Sequence, residues 1–251
     1  MTSNRFFLKE EPQGSTHVFL EGKEHHHLSK VARIKPGELV WLFDKIGKQY
    51  RACVEEIRKD KTRLIILETK KEREPEIQIT LAQVMLKTKK MDLVIHKATE
   101  LGIHDIKPII SDRTVVKIGD RQNIKIERWK RIIVEVAKQC GRSSLPEIHT
   151  PTGLNSFIAK KDKARKLFLS ERGGKFFRDI LMYPLKMETK IPDSVILLVG
   201  PEGGWTESEE QDIMENHYEA VSLGSLTLRS ETAAIVSLAM VSHFWKNEDV
   251  S

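Results

Sequence analysis

The chain has 251 residues, 39% of them hydrophobic and 31% charged, a composition that excludes a disordered, collagen-like or disulfide-stapled protein. Lys and Arg number 42 against 36 Asp and Glu, a formal net charge of +6 that favours a polyanionic partner. The length fits one large domain or two smaller ones, and without an apolar run near the ~18 residues of a membrane span, or a signal-peptide core at the start, a cytoplasmic protein is expected.

Up to about residue 72, short strands follow one another: Arg5–Leu8, His17–Glu21, Glu38–Asp44, Tyr50–Ile57 and Thr62–Thr69, with turns at Pro36–Gly37 and Ile46–Gly47. A helix interrupts them, with Leu28, Val31, Ala32 and Ile34 at roughly helical spacing. This pattern predicts a small β-barrel, an architecture that often binds nucleic acid. Residues 1–74 hold 16 basic and 12 acidic side chains and the rest of the chain 26 and 24, so the basic bias is stronger in the shorter N-terminal part. The run His25, His26, His27 is no metal site, because consecutive helical side chains point about 100° apart. No metal is expected elsewhere either, and Cys53 and Cys140, outside any CxxC pair, read as small buried hydrophobes.

Charge piles up around Pro75 in residues 70–76, the best candidate boundary. Beyond it comes an apolar strand, Ile77–Leu86, and then a helix with Thr88 as N-cap, Met91, Val94, Ile95, Ala98 and Leu101 on one face, and Gly102 as its stop. A strand follows at Ile106–Ser111. The helix over 123–140 is the clearest, with Trp129, Ile132, Ile133, Val136, Ala137 and Cys140 on one stripe and Gly141 after it. The apolar runs Lys166–Ser170, Ser194–Gly200 and Ala220–Gly224 alternate with helical stretches, which predicts a mostly parallel α/β sheet.

Three familiar motifs are missing: a P-loop, a dinucleotide-binding GxGxxG and a GxSxG elbow. The sharpest signal present is VILLVGPEGGWTESEEQD, residues 195–212, in which a buried strand runs into a glycine-rich loop and then a helix. Glycines there let a ligand approach the backbone closely, Gly203 being expected to matter in this way. Thr206 and Glu209 form a capping box, and Glu207 and Glu210 add negative charge to the first turn, so a phosphate is repelled and a neutral or partly cationic ligand is expected. The second signal is Arg229-Ser230-Glu231 at the start of a helix apolar on almost every side, through Ala233, Ile235, Val236, Leu238, Ala239, Met240 and Val241; such a helix is buried in a core or between subunits. Lys87, Lys89, Lys90 and Lys97 with Arg113, Arg142 and Arg229 form a candidate cationic stripe.

Taken together, Arg5-Phe6-Phe7, HHLSKVARIKPGE (26–38), KKMDLVIHKATELG (89–102), RWKRIIVEVAKQCGR (128–142), LLVGPEGGWTESE (197–209) and LGSLTLRSETAA (223–234) resemble the RsmE family of 16S ribosomal RNA uridine-N3 methyltransferases, in the SPOUT superfamily. Ala32 departs from the Leu frequent in that family. The resemblance implies a PUA-like β-barrel over 1–72 that binds RNA, followed by an α/β methyltransferase domain with a trefoil knot over 73–251. It implies an S-adenosyl-L-methionine donor held by Leu169, Ser170 and Glu171, by Val199, Gly200, Pro201, Glu202, Gly203 and Gly204, and by Leu223, Gly224, Leu226 and Leu228. A homodimer acting on 16S ribosomal RNA or the small ribosomal subunit is implied as well. Arg229 is then expected to stabilise the developing uracil anion and Glu231 to accept its proton, with Arg5 and Arg33 near the target and Lys89, Lys90, Arg113 and Arg142 on the RNA backbone. A non-catalytic ribosome-assembly factor on the same scaffold is the alternative. A ribose 2′-O enzyme is disfavoured, because no Asn-x-Gly occurs in the chain.

Overall fold

The structure, a computed structural model, describes residues 4–12, 14–71, 77–115, 122–187 and 189–245. Two compact units emerge, Met1–Glu74 together with Val134–Leu145, and Pro75–Ile133 together with Pro146–Ser251. The segment 134–145 joins the first unit, a pairing absent from any linear division at 72/73. The boundary stretch itself lies mostly outside the described residues.

In the first unit, β1 (Arg5–Phe7), β2 (His17–Glu21), β3 (Leu39–Phe43), β4 (Lys48–Ile57) and β5 (Lys61–Lys71) form one sheet in the order β1-β3-β4-β5-β2. Only β1 and β3 are parallel. Pairing sets Phe6 opposite Leu42, Leu42 opposite Tyr50, Val40 opposite Ala52, and Val54 and Val18 opposite Leu64. Because side chains alternate along a strand, these residues all lie on one face, and with Leu28 and Ile34 they form a single core cluster. Every strand thus contributes to one interior, as a curled, barrel-like sheet requires.

The same alternation overturns one expectation: with Tyr50, Ala52 and Val54 inward, Cys53 points outward and is half-buried, while Cys140 is exposed at the last position of its helix. The helix after β2 is short, α1 (Gly22–His26) running into a π-helical turn over His27–Val31. That widened turn leaves Val31 and Ala32 exposed, whereas Leu28 and Ile34 are buried.

The second unit holds β6 (Gln78–Val84), α2 (Thr88–Glu100), β7 (Asp105–Ile110), the start of α3 (Gln122–Cys140), β8 (Glu147–Ile148), β9 (Thr152–Gly153), α4 (Leu154–Ile158) and β10 (Arg165–Leu169). Then come β11 (Lys175–Phe176), α5 (Phe177–Lys186), β12 (Ser194–Val199), α6 (Glu207–Glu215), β13 (Glu219–Ser222) and α7 (Ser230–Trp245). Its sheet runs β11-β13-β10-β12-β6-β7-β8, with β9 also on β7, and every pairing is parallel. The central strands are buried on both faces, as Ile79, Leu81, Ala82 and Val84 and the run Val195–Val199 show, which is why they read as continuous apolar stretches.

Thr88 is the first helical residue of α2, not its cap: Lys87 takes the non-helical cap conformation and no side chain caps the helix. Gly102 (φ +74°) ends it, in a left-handed conformation that glycine adopts without strain. Along α3, Trp129, Ile133, Val136 and Ala137 are buried, but Ile132 is only half-buried. In α7 the buried face is Ala234, Ser237, Leu238, Val241 and Trp245, leaving Ile235, Val236, Ala239 and Met240 half-buried on another.

Candidate active site

The strand order brings three chain segments together. β12 is inserted between β10 and β6, and β13 lies on the other side of β10, so the parallel carboxyl ends of β10, β12 and β13 sit side by side. Ligands of open α/β sheets bind at such ends. The loops leaving them enclose a cleft with about 710 Å³ of non-atom space, part of it open to solvent. Leu169, Ser170 and Glu171 come from the end of β10, Val199, Gly200, Pro201, Glu202 and Gly204 from the loop after β12, and Leu223, Gly224, Leu226 and Leu228 from the segment after β13. Gly203 is absent from the lining. Trp205, Val221, Ser222, Ser225, Thr227, Ser230 and Ala233, none of them assigned to the donor from the sequence, also line the cleft. Position within the two glycine-rich motifs was the one signal for them.

Close packing makes two glycines necessary. A Cβ at Gly200 would stand 2.9 Å from Trp205 Cε2, and Gly204 combines φ +67° with a Glu171 carboxylate oxygen 3.1 Å from where its Cβ would be. At Gly203 the nearest protein atom would be Arg113 Cδ at 3.6 Å, an ordinary contact, so the packing of the protein itself constrains Gly200 and Gly204 more than Gly203. The loops are also stitched together. Trp205 Nε1 donates to the Leu169 carbonyl at 3.0 Å, Ser230 Oγ donates to the Gly200 carbonyl at 2.5 Å, and Gln83 Nε2 donates to Ser230 Oγ at 3.0 Å. The capping box of α6 forms as its sequence predicts, Glu209 N donating to Thr206 Oγ1 and Thr206 N to Glu209 Oε2.

Charged side chains gather where the cleft meets α2 and α7. Lys90 Nζ lies 2.6 Å from Glu202 Oε1 and 3.1 Å from Glu231 Oε1. The hydrogen bond from Lys90 holds the Glu202 carboxyl below its usual range, aided by the fields of Lys87 and Arg229, and Glu202 and Glu231 together hold Lys90 above its own. Arg229 is exposed, and no hydrogen bond or ion pair among the described residues holds its guanidinium. Glu231, expected to accept a proton, is 8% exposed; its Oε1 faces Lys90, and its Oε2 is sealed from solvent without a hydrogen-bond partner. In this conformation it is closed to a substrate.

The expected RNA contacts divide. Arg5 is buried in the first unit, donating to Gln49 Oε1, the Arg142 carbonyl and Ser143 Oγ, with its guanidinium over the Phe43 ring. It braces the fold and is closed to RNA. Arg113 straps the glycine loop, its Nη1 donating to the Gly203 carbonyl at 2.6 Å. Lys90 is committed to two carboxylates. Arg33 and Lys89 are exposed, and Arg142 is half-buried with its Nε donating to Ser144 Oγ at 3.3 Å. One His/carboxylate group with converging ligand atoms occurs among the described residues, Asp105, Glu147 and His149. His149 Nε2 lies 2.8 Å from Asp105 Oδ1, and its Nδ1 lies 3.7 Å from Glu147 Oε1.

A family model described as an RNA methyltransferase domain matches residues 72–242, and one described as an RNA methyltransferase PUA domain matches residues 20–67. The chain belongs to the RNA methyltransferase family. Within it, the chain is similar to ribosomal RNA small subunit methyltransferase E of Aquifex aeolicus, 32% identical over 95% of this chain and 99% of the relative. It is likewise similar to that of Bacillus subtilis, 28% identical over 95% and 96%. The solved structure of ribosomal RNA small subunit methyltransferase E from Neisseria gonorrhoeae bound to S-adenosyl methionine superposes with a TM-score of 0.85, at 32% identity and over 98% of this chain and 99% of that one. This methyltransferase thus pairs an N-terminal PUA domain with a C-terminal α/β catalytic domain.

Proposed function

We propose that this methyltransferase uses S-adenosyl-L-methionine to methylate N3 of a uridine in 16S ribosomal RNA of the small ribosomal subunit, in the cytoplasm. The observation that carries the reading is the cleft at the ends of β10, β12 and β13, lined by glycines, leucine and valine side chains and Trp205 and rimmed by Glu171 and Glu202. It suits the donor: glycines leave room against the backbone, and the carboxylates favour a cationic sulfonium over a phosphate. When bound, the donor supplies an electrophilic methyl group.

The chain's own task is to make uridine N3 nucleophilic. That nitrogen carries an imide proton at neutral pH, and losing it spreads negative charge onto O2 and O4. Arg229, between cleft-lining Leu228 and Ser230, is permanently charged and presents planar donors suited to those oxygens. With Glu231 closed, water or an RNA group takes the proton. Arg33 lies near the target uridine, and Lys89 contacts the RNA backbone, a phosphate contact that releases counterions on binding.

Two further elements belong to this reading. The half-buried stripe of Ile235, Val236, Ala239 and Met240 on α7 is covered by a second copy of the chain in a homodimer. The cleft segments form a trefoil knot, a reading supported by the late insertion of β12 between strands laid down before it. To test the function, methyl-labelled donor is incubated with small subunits and with their naked RNA, and the digested nucleosides are identified by mass spectrometry. Labelled 3-methyluridine at one position is expected; label on a ribose or on another base overturns the reading.

A further inference from the structure

Lys90 belongs by charge pattern to the RNA-facing basic residues, yet its surroundings give it different work. Its ammonium stands between Glu202, on the glycine loop that lines the cleft, and Glu231, in the first turn of α7. Glu231 is nearly buried, and a buried carboxylate is costly unless paired. The loop end and the helix start, 29 positions apart in sequence, thus meet on one cation from α2. Arg229 lies two residues before Glu231 and has no side-chain tether of its own among the described residues, so its placement depends on how firmly that first turn is held.

We propose that Lys90 is a positioning residue for methyl transfer: by binding Glu202 and Glu231 together it fixes the glycine loop and the Arg229 turn in the relative arrangement the reaction needs. This rests on the proposed function above. The charged groups around the bridge are Lys87 at the cap of α2 and Lys90 in its first turn, Glu202 from the loop, Arg229 just before α7 and Glu231 in its first turn. The bridge has its full strength where Glu202 is ionised and Lys90 is protonated.

The test compares Lys90→Met, Lys90→Arg, Glu202→Gln and Lys90→Met/Glu202→Gln with the wild type, measuring kcat and KM for the RNA, salt dependence, and affinity for S-adenosylhomocysteine. Lys90→Met should lower kcat ten- to a hundredfold, roughly the cost of a slightly misplaced group, with KM and salt slope little changed. Lys90→Arg should restore part of the rate, and at saturating donor the double variant should be no slower than Lys90→Met alone, because both substitutions cut one bridge. The kcat of Lys90→Met should also lose the acid limb that protonation of Glu202, whose carboxyl Lys90 holds below its usual range, gives the wild type. Unchanged kcat with a raised KM and a shallower salt slope makes Lys90 a phosphate contact and overturns the proposal. Additive rate losses in the double variant overturn it as well. If the wild type itself transfers no methyl group to RNA, the proposed function fails; if the wild type is active and Lys90→Met equally so, only this inference fails.

Discussion

The cleft wall and the charged cluster beside it are built on opposite principles. The wall is backbone: glycines at 200 and 204, carbonyls held by Trp205 and Ser230, and strand ends in parallel register. The cluster is side chain: Lys90, Glu202 and Glu231 brought from three separate segments, with Arg229 free beside them. At Gly200 and Gly204 the wall leaves no easy room for an added atom, whereas a charge cluster tolerates changes of shape and fails when a charge is lost. Substitutions in the wall should therefore act on donor binding and substitutions in the cluster on turnover.

The largest effect that sharpens this contrast is at Arg229. Arg229→Ala should reduce single-turnover methylation by about 10²–10³, the scale for removing one preorganised donor from a developing anion, while calorimetry finds donor affinity unchanged. A parallel loss of donor affinity would erase the distinction between the two regions.

Next in size is the α7 stripe. Val236→Asp places a charge among half-buried apolar side chains and should weaken dimerisation at least about tenfold, read by analytical ultracentrifugation. A wild type that stays monomeric at micromolar concentration would remove the dimer from the account. Smaller still, Thr206→Ala removes the capping hydroxyl of α6 and should cost about 1 kcal/mol, a shift of about 2–4 °C in thermal midpoint.

The bridge has its own pH signature. The Glu202 carboxyl is lowered in the fold, so its contribution to stability is complete above the ordinary carboxylate value and is lost as pH falls through the depressed one. Lys90 is raised, so its contribution is complete below the ordinary ammonium value and is lost as pH rises through the raised one. The difference in melting temperature between wild type and Glu202→Gln should therefore be flat through neutral pH and shrink at the acidic end. Smallest of all, Gly203→Ala should stay within about 0.5 kcal/mol of wild type in stability and keep donor binding, since its added methyl meets only an ordinary contact.

What the sequence disclosed follows the same division. The wall was legible because its signals are local: an apolar run ending in GPEGG, a Thr-x-x-Glu box, a second strand ending at Leu223–Gly224. The strands of the first unit were legible through alternation, and that alternation also placed Cys53 outward once the register was known. Long-range pairing left no local mark. Nothing near Arg5 in the chain announces that Ser143 will accept its hydrogen bond, and nothing near Lys90 announces two carboxylates more than a hundred residues away. The family resemblance placed Arg5, Lys90 and Arg113 alike against the RNA, although each has protein partners. Which glycines the protein's own packing requires was also not legible, because that depends on what stands beside the missing Cβ, Trp205 at Gly200 and Glu171 at Gly204.

The central claim is that the backbone-built cleft is the donor site, and the most direct measurement is isothermal calorimetry of S-adenosylhomocysteine with wild type and Gly200→Val, whose folding is checked by circular dichroism. The account predicts one molecule bound per wild-type chain and no measurable binding to a folded Gly200→Val protein, because the added side chain drives into Trp205 and displaces the loop. Absence of binding to the wild type, or equal affinity in the folded variant, would contradict it.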